Sequence, residues 1–220
     1  LKEIPKQVQA ILDRKDQIAE IIKEKYPDFG PTFAHEKLVE QHGITCSDET
    51  VRKIMIEAGI WKPKIRKVKL HTYRERRACV GELVQADGSP HKWFENRADS
   101  CTLICFIDDA TSRIMSGEFV DFEGTFPFFG ATQHYLKTHG KPLSWYVDKH
   151  STFKINRQAS IDEDIRNTQA QSQFERAMQQ LSIDMIFAHS PQAKGRVERL
   201  FETLQDRLVK ELRLENISTK

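Results

Sequence analysis

The stretch "SCTLICFIDDATSRIMSGEFV" (residues 100–120) decides the fold, because it predicts two strands joined by the turn "DDATSR". The apolar run "CTLICFI" predicts a buried strand, in which Cys101 and Cys105 are packing residues. Asp108 and Asp109 open the turn, and an acid before Ala-Thr-Ser is a good turn former. A metal-binding role for this pair is the minor alternative.

The segments on either side predict an alternation of strands and helices. "ELVQADG" (82–88) is typical of a strand that ends at Asp87-Gly88, and "PLSWYVDKH" (142–150) of a short buried strand that ends at Asp148. A strand at 183–189 and helices at about 126–140, 169–182 and 195–215 complete the order. This order predicts an α/β fold in which helices flank a mixed sheet.

Three acids stand at comparable places in this order. Asp87 and Asp148 follow strands, and Glu198 lies in the first turn of the last helix. If the first and fourth strands are neighbours, the two aspartates come close, and the last helix can bring Glu198 to them. Three adjacent carboxylates need a cation, so the pattern predicts Mg²⁺ or Mn²⁺, with two ions as the typical number. Each acid also has an alternative structural role: Asp87 suits a turn, Asp148 suits a loop cap, and Glu198 suits a helix start.

The last helix begins within "SPQAKGRVERL" (190–200), where basic residues surround Glu198. Lys194, Arg196 and Arg199 are candidate contacts to a DNA backbone, and a solvated helix face is the alternative. His189, directly before this stretch, is a weaker candidate for a phosphate contact.

Residues 1–60 predict a small all-α module. Gly43 ends one helix, and Ser47 is a candidate N-cap of the next, which is typical of a helix-turn-helix. The second helix would present Arg52 and Lys53 to a DNA groove. A helical hairpin used only for packing is the alternative.

A basic arm follows at residues 61–81. Its run "WKPKIRKVKLHTYRERR" (61–77) contains eight basic residues and one acid, and a polyanion would neutralise it. Residues 1–81 hold 17 Lys and Arg against 12 Asp and Glu, whereas residues 82–220 hold 17 against 20. A solvated linker is the alternative reading of the arm. The candidate DNA contacts here are Lys62, Lys64, Arg66 and Lys67.

Several classes of protein are disfavoured. No apolar run reaches membrane-spanning length, and no secretory signal is visible at the charged start "LKEIPKQVQAILDRKD". The four cysteines form no CxxC pair, which favours reduced thiols. A cytoplasmic, nucleoid-associated protein without an organic cofactor site is expected.

Residues 82–215 resemble the catalytic domain of DDE transposases and retroviral-type integrases, which has the ribonuclease H-like fold. The most specific matching piece is the one around Glu198, which has Pro191, a short loop, Gly195, two further residues and then the acid. A helix-turn-helix before such a core resembles bacterial insertion-sequence transposases. The matching pieces are "LVQADGSPHKWF", "CFIDDATSR", "WYVDKHSTF" and "SPQAKGRVERLFETLQDRLVKELR".

The resemblance implies a catalytic domain at residues 82–220, in which Asp87, Asp148 and Glu198 are the metal-binding catalytic triad. It implies cleavage of a DNA strand at a mobile-element end, joining of the freed 3′-hydroxyl to target DNA, and a homodimer or larger assembly on duplex DNA. A nuclease of the same fold that does not join DNA, and an inactive DNA-binding regulator, are the alternatives. One departure is the gap between Asp148 and Glu198, residues 149–197, which holds 49 residues. The polar stretch 154–171 is expected to be an insertion in a surface loop.

Overall fold

A computed structural model describes residues 6–63, 75–155, 170–188 and 195–220, with side chains from residue 13 onward. The chain divides into two compact units, residues 1–70 and 71–220. Among the described residues, no helix is long and apolar enough to cross a membrane.

The first unit contains three helices, α1 (Lys6–Lys25), α2 (Pro31–His42) and α3 (Asp48–Glu57). Helix α2 ends at Gly43, whose φ of 62° turns its amide toward the last carbonyls of the helix. Ser47 caps α3, since its hydroxyl accepts a hydrogen bond from the Thr50 N–H at 3.2 Å. These observations confirm both helix ends predicted at Gly43 and Ser47.

The core of this unit is formed by apolar side chains from all three helices. Tyr26 is fully buried, and its hydroxyl donates to Gln41 Oε1 at 2.7 Å. Such a bond satisfies the polar tip of an aromatic side chain inside a small core. The other buried members include Ile18, Ile22, Phe29, Phe33, Leu38, Val51, Ile54 and Met55.

The second unit is an α/β fold around a five-stranded sheet. The strand order is β3-β2-β1-β4-β5. Strand β2 pairs antiparallel with both β1 and β3, whereas β4 pairs parallel with both β1 and β5, so the sheet is mixed as predicted. The elements are β1 (Val84–His91), β2 (Cys101–Asp108), β3 (Ile114–Val120), α4 (Thr125–His139), β4 (Ser144–Val147), α5 (Gln173–Gln180), β5 (Asp184–Phe187) and α6 (Gly195–Leu214).

Strand β1 is longer than the sequence predicted. It continues past Asp87-Gly88 to His91, because every residue from Val84 to His91 has a partner on β2. Its parallel pairing with β4 is much shorter, with Val84 opposite Trp145 and Gln85 opposite Tyr146. Asp87 therefore lies inside the strand on the β2 side and beyond the paired residues on the β4 side.

The two faces of the sheet carry separate cores. Helices α4 and α5 cover one face, where Phe128 and Phe174 pack against strand residues such as Ala86 and Trp145. Helix α6 covers the other face, where its Val197 and Phe201 belong to one cluster with Trp93, Phe94, Cys101 and Cys105. The packing roles predicted for Cys101 and Cys105 are confirmed.

Two phenylalanines on α4 allow a test of this packing. Phe128 is fully buried, and its ring lies 4.7 Å from that of Phe153, whereas Phe126 is 85% exposed. We expect Phe128→Ala to lower the free energy of unfolding by about 3–5 kcal/mol, because it leaves a cavity in the core. Phe126→Ala should change it by less than about 0.5 kcal/mol. Urea unfolding measures both, and equal losses would contradict the assigned face of α4.

Candidate active site

Asp87 stands on the face of the sheet that α6 covers. It lies opposite Cys105 in the β1–β2 register, and directly paired residues point to the same face. Cys105 is buried in the cluster beneath α6. Burial and, second, the negative charge of Asp87 raise the pKa of the Cys105 thiol to about 12. The Asp87 carboxylate is therefore close to this thiol.

Asp148 directly follows β4, the strand beside β1. The parallel pairs Val84–Trp145 and Gln85–Tyr146 fix the register of β1 against β4, and the second pair lies two residues before Asp87 and Asp148. Neighbouring strands are about 4.8 Å apart, so the two acids lie at the same end of this strand pair. The condition stated from the sequence, that the first and fourth strands are neighbours, is thus met.

Backbone amides orient one oxygen of each aspartate. Asp148 Oδ1 accepts a hydrogen bond from the His150 N–H at 2.9 Å, and Asp87 Oδ1 accepts one from the Gly88 N–H at 3.1 Å. Carboxylates held in this way keep a defined direction at the end of a rigid sheet.

Glu198 lies in the first turn of α6, on the same side of the sheet as Asp87. Its neighbour Val197 is buried against the cluster that contains Cys105, whereas Glu198 itself is exposed. Further along the helix, Gln205 Nε2 donates to the Ser89 hydroxyl at 3.0 Å. Helix α6 is thereby fixed to β1 two residues after Asp87.

The three predicted acids do not converge on one point in this structure. Within the described ranges, no three side chains of the His, Cys, Asp and Glu types are grouped closely enough to hold a metal ion. Asp87 lies on β1, Asp148 directly follows the adjacent β4, and Glu198 lies on the helix that covers the Asp87 face of the sheet. All three supply carboxylate oxygens, which are the ligands that Mg²⁺ and Mn²⁺ prefer.

Two proteins named as transposases are similar to the chain. No family model matches the chain. It is 49% identical over 203 residues to y4bF of Sinorhizobium fredii, which is named as a transposase, covering 92% of this chain and 43% of that protein. It is 34% identical over 242 aligned residues to the transposase for insertion sequence IS1202 of Streptococcus pneumoniae, covering 93% of this chain and 51% of that protein.

The chain is similar to these two transposases over more than nine tenths of its own length. It spans about half the length of these two relatives. A chain in the cryo-EM structure of the simian T-cell lymphotropic virus intasome, solved with PP2A regulatory subunit B56 gamma, is similar with a TM-score of 0.53 and 16% identity. That match covers 92% of this chain and 64% of the other. It agrees with the ribonuclease H-like fold of the second unit.

The turn acids Asp108 and Asp109 have structural partners. Asp108 is fully buried and accepts from the Thr111 N–H at 2.8 Å, from the Thr111 hydroxyl at 2.6 Å and from the Gly81 N–H at 2.9 Å. Asp109 is also fully buried and accepts from Gln85 Nε2 at 2.9 Å. The predicted preference for a turn role over a metal-binding role is therefore supported.

The predicted DNA contacts differ in their surroundings. Arg196 forms an ion pair with Asp109, and its side chain is only 14% exposed, so the structure gives it an internal partner that the sequence did not predict. Arg52 pairs with Glu49 through two bonds of 2.6 and 2.7 Å on the surface of α3. Exposed predicted contacts are Lys53, Lys62 and Arg199. Lys64, Arg66, Lys67 and Lys194, together with His189, lie outside the described residues.

Glu123 is an acid near the site that the sequence did not single out. A Cβ atom at Gly88 would come within 3.1 Å of the Glu123 carboxyl group, so the small residue permits this close approach. His150 Nδ1 lies 3.8 Å from Glu123 Oε1. The sequence carried little signal for this contact, because Glu123 precedes α4 and suits a helix start equally well.

The position of Asp87 can be tested through Cys105. We expect Asp87→Asn to lower the pKa of the Cys105 thiol, because a negative charge beside it is removed. Alkylation of Cys105 by iodoacetamide at a fixed alkaline pH should then accelerate by about two- to tenfold, as mass spectrometry would show. Cys101, buried on the same strand, is the control. Equal acceleration of both thiols, or none at Cys105, would contradict the placement.

Proposed function

We propose that this chain contains the end-binding and catalytic parts of a DNA transposase. It would cleave a DNA strand at the end of a mobile element and join the freed 3′-hydroxyl to target DNA. The observation that supports the proposal is the parallel pairing of β1 with β4, in which Gln85 opposite Tyr146 lies two residues before Asp87 and Asp148, on a sheet whose Asp87 face is covered by the helix that bears Glu198. The two relatives named as transposases support the same conclusion.

Asp87, Asp148 and Glu198 would hold Mg²⁺ or Mn²⁺, with two ions as the expected number. Two aspartates on adjacent strands repel each other when both are ionised, and a hard divalent cation relieves that repulsion. When bound, such ions promote deprotonation of a water or 3′-hydroxyl and stabilise the departing oxygen of an in-line displacement.

The protein residues would act by binding and orientation. Asp87 and Asp148 stand on a rigid sheet, with one oxygen of each directed by a backbone N–H. Glu198 is exposed in the first turn of α6, so its long side chain can turn toward the aspartates without disturbing the core. Positioning of this kind accounts for a large part of the rate of phosphoryl transfer.

DNA binding would use both units of the chain. In the first unit, α3 would enter the major groove, with Lys53 exposed and Arg52 exchanging Glu49 for the nucleic acid. In the second unit, the exposed Arg199 lies one residue after Glu198 and would contact a substrate phosphate. Lys62, Lys64, Arg66, Lys67 and Lys194 are proposed backbone contacts. Joining two element ends would require at least two copies of the chain on the DNA.

A strand-transfer assay tests this function directly. DNA carrying the element end, supplied precut or uncut with Mg²⁺, should give both the cleaved strand and a product joined to target DNA. Cleavage without a joined product would indicate a nuclease of the same fold. Binding without either product would indicate a DNA-binding regulator.

The role of the three acids can be tested by neutral substitutions. We expect Asp87→Asn, Asp148→Asn and Glu198→Gln each to reduce cleavage by on the order of a thousandfold or more, because several kcal/mol of metal-dependent stabilisation are lost. Binding of end DNA in a gel-shift assay should persist. Glu202→Gln is the matched control, since Glu202 is an exposed acid one turn further along α6. If the Asp148→Asn variant cleaves DNA as fast as the wild type, the metal hypothesis is wrong.

The role of α3 can be tested through the salt dependence of DNA binding. Loss of one phosphate contact should lower the magnitude of the slope of log K against log salt by about 0.9. We therefore expect Lys53→Ala to lower this magnitude by about 0.9, the value for one contact. Lys23→Ala should leave it unchanged, since Lys23 lies on α1 and pairs with Glu20 at 3.2 Å. A slope that both substitutions lower equally would count against α3 as the DNA-contacting helix.

A further inference from the structure

Asp109 is a buried carboxylate at which three separate segments meet. It follows β2 directly and is fully inaccessible to solvent. It accepts hydrogen bonds from the Arg77 N–H at 3.0 Å and from Gln85 Nε2 at 2.9 Å, and it forms an ion pair with the Arg196 guanidinium. A charge buried this deeply persists only where partners of this kind compensate its loss of water.

Two of these partners, Gln85 and Arg196, each precede a proposed catalytic acid by two residues in the sequence. Gln85 is buried on β1, two residues before Asp87, and alternate residues of a strand share a face. Arg196 is in the first turn of α6, two residues before Glu198. A single carboxylate thus connects the strand that carries Asp87 with the helix that carries Glu198.

The ion pair gives the start of α6 a directional contact. Val197 and Phe201 hold the helix to the sheet by apolar packing, which does not depend strongly on direction. The Arg196 guanidinium adds bonds of defined geometry in the same turn as Glu198. Asp109 also places a negative charge beside the positive end of the helix, which is a favourable arrangement.

We infer that Asp109 is a positioning residue for the proposed metal site, acting on Asp87 through Gln85 and on Glu198 through Arg196. The inference rests on the proposed function, because it assumes that these acids bind the metal together. It also assigns Arg196 to the interior of the protein instead of to a DNA phosphate. Outer partners of metal ligands typically change metal affinity by about 10- to 100-fold when they are substituted.

Mn²⁺ affinity of the full chain, measured by electron paramagnetic resonance of the free ion, tests this role without using activity. Asp109→Asn keeps an oxygen acceptor but removes the charge that faces Arg196. Arg196→Gln removes the guanidinium, and Arg196→Lys restores a positive charge. We expect the first two variants to weaken Mn²⁺ binding by about tenfold or more, and Arg196→Lys to recover part of the loss.

Lys210→Gln is the matched control on the same helix. Lys210 is as deeply buried as Arg196, with 10% of its side chain exposed, and it pairs with Asp206 at 2.6 Å. The change removes a buried cation whose partner Asp206 is 62% exposed, far from the first turn, so Mn²⁺ affinity should stay within about twofold of wild type while thermal stability falls. Thermal unfolding of each variant measures any general loss of stability separately from the change in Mn²⁺ affinity.

Asp87→Asn separates failure of this inference from failure of the proposed function. If Asp87→Asn weakens Mn²⁺ binding but Asp109→Asn and Arg196→Gln do not, the positioning role is wrong and the metal site stands. If Lys210→Gln weakens binding as much as Arg196→Gln, general loosening of α6 explains the effect and the inference is overturned. If Asp87→Asn has no effect on Mn²⁺ binding, the metal site fails and the positioning role fails with it.

Discussion

Strand β1 pairs with β2 along its whole length but with β4 at only two positions, Val84 and Gln85. Asp87 is therefore in the part of β1 that is paired with β2 but not with β4. The chain leaving β4 begins with Asp148, two residues after the last paired position. Backbone hydrogen bonds of the sheet therefore bring to one end of the β1–β4 pair two acids that are separated by 60 residues of sequence, and the proposed chemistry depends on that register.

Helix α6 supplies the third acid, and both apolar and ionic contacts fix its place. Val197 and Phe201 bury one side of the helix over Cys105, and Gln205 bonds to Ser89 of β1. The buried Asp109 holds Arg196 at the start of the helix. A basic residue in the integrase-like signature thus has a partner inside the protein, while Arg199 beside it stays exposed. Neighbouring charges in one motif can serve the fold and the substrate separately.

The sequence predicted the succession of strands and helices in the second unit correctly, because apolar runs and turn residues report local structure well. It did not predict how far β1 extends, since Gly88 and Pro90 read as a turn and only pairing with β2 keeps them in a strand. It also missed the Asp109–Arg196 pair and the approach of Glu123 to Gly88. Such contacts join residues far apart in sequence, and no periodic pattern encodes them.

A crystal structure of the chain with Mn²⁺, analysed by anomalous diffraction, shows whether Asp87, Asp148 and Glu198 share a divalent cation. We expect an anomalous peak bonded to carboxylate oxygens of Asp87 and Asp148 at about 2.1 Å, the short distance typical of small hard cations, with Glu198 turned toward the same site. If saturating Mn²⁺ gives no peak at these aspartates, or a peak among other acids, the three residues do not form the metal site.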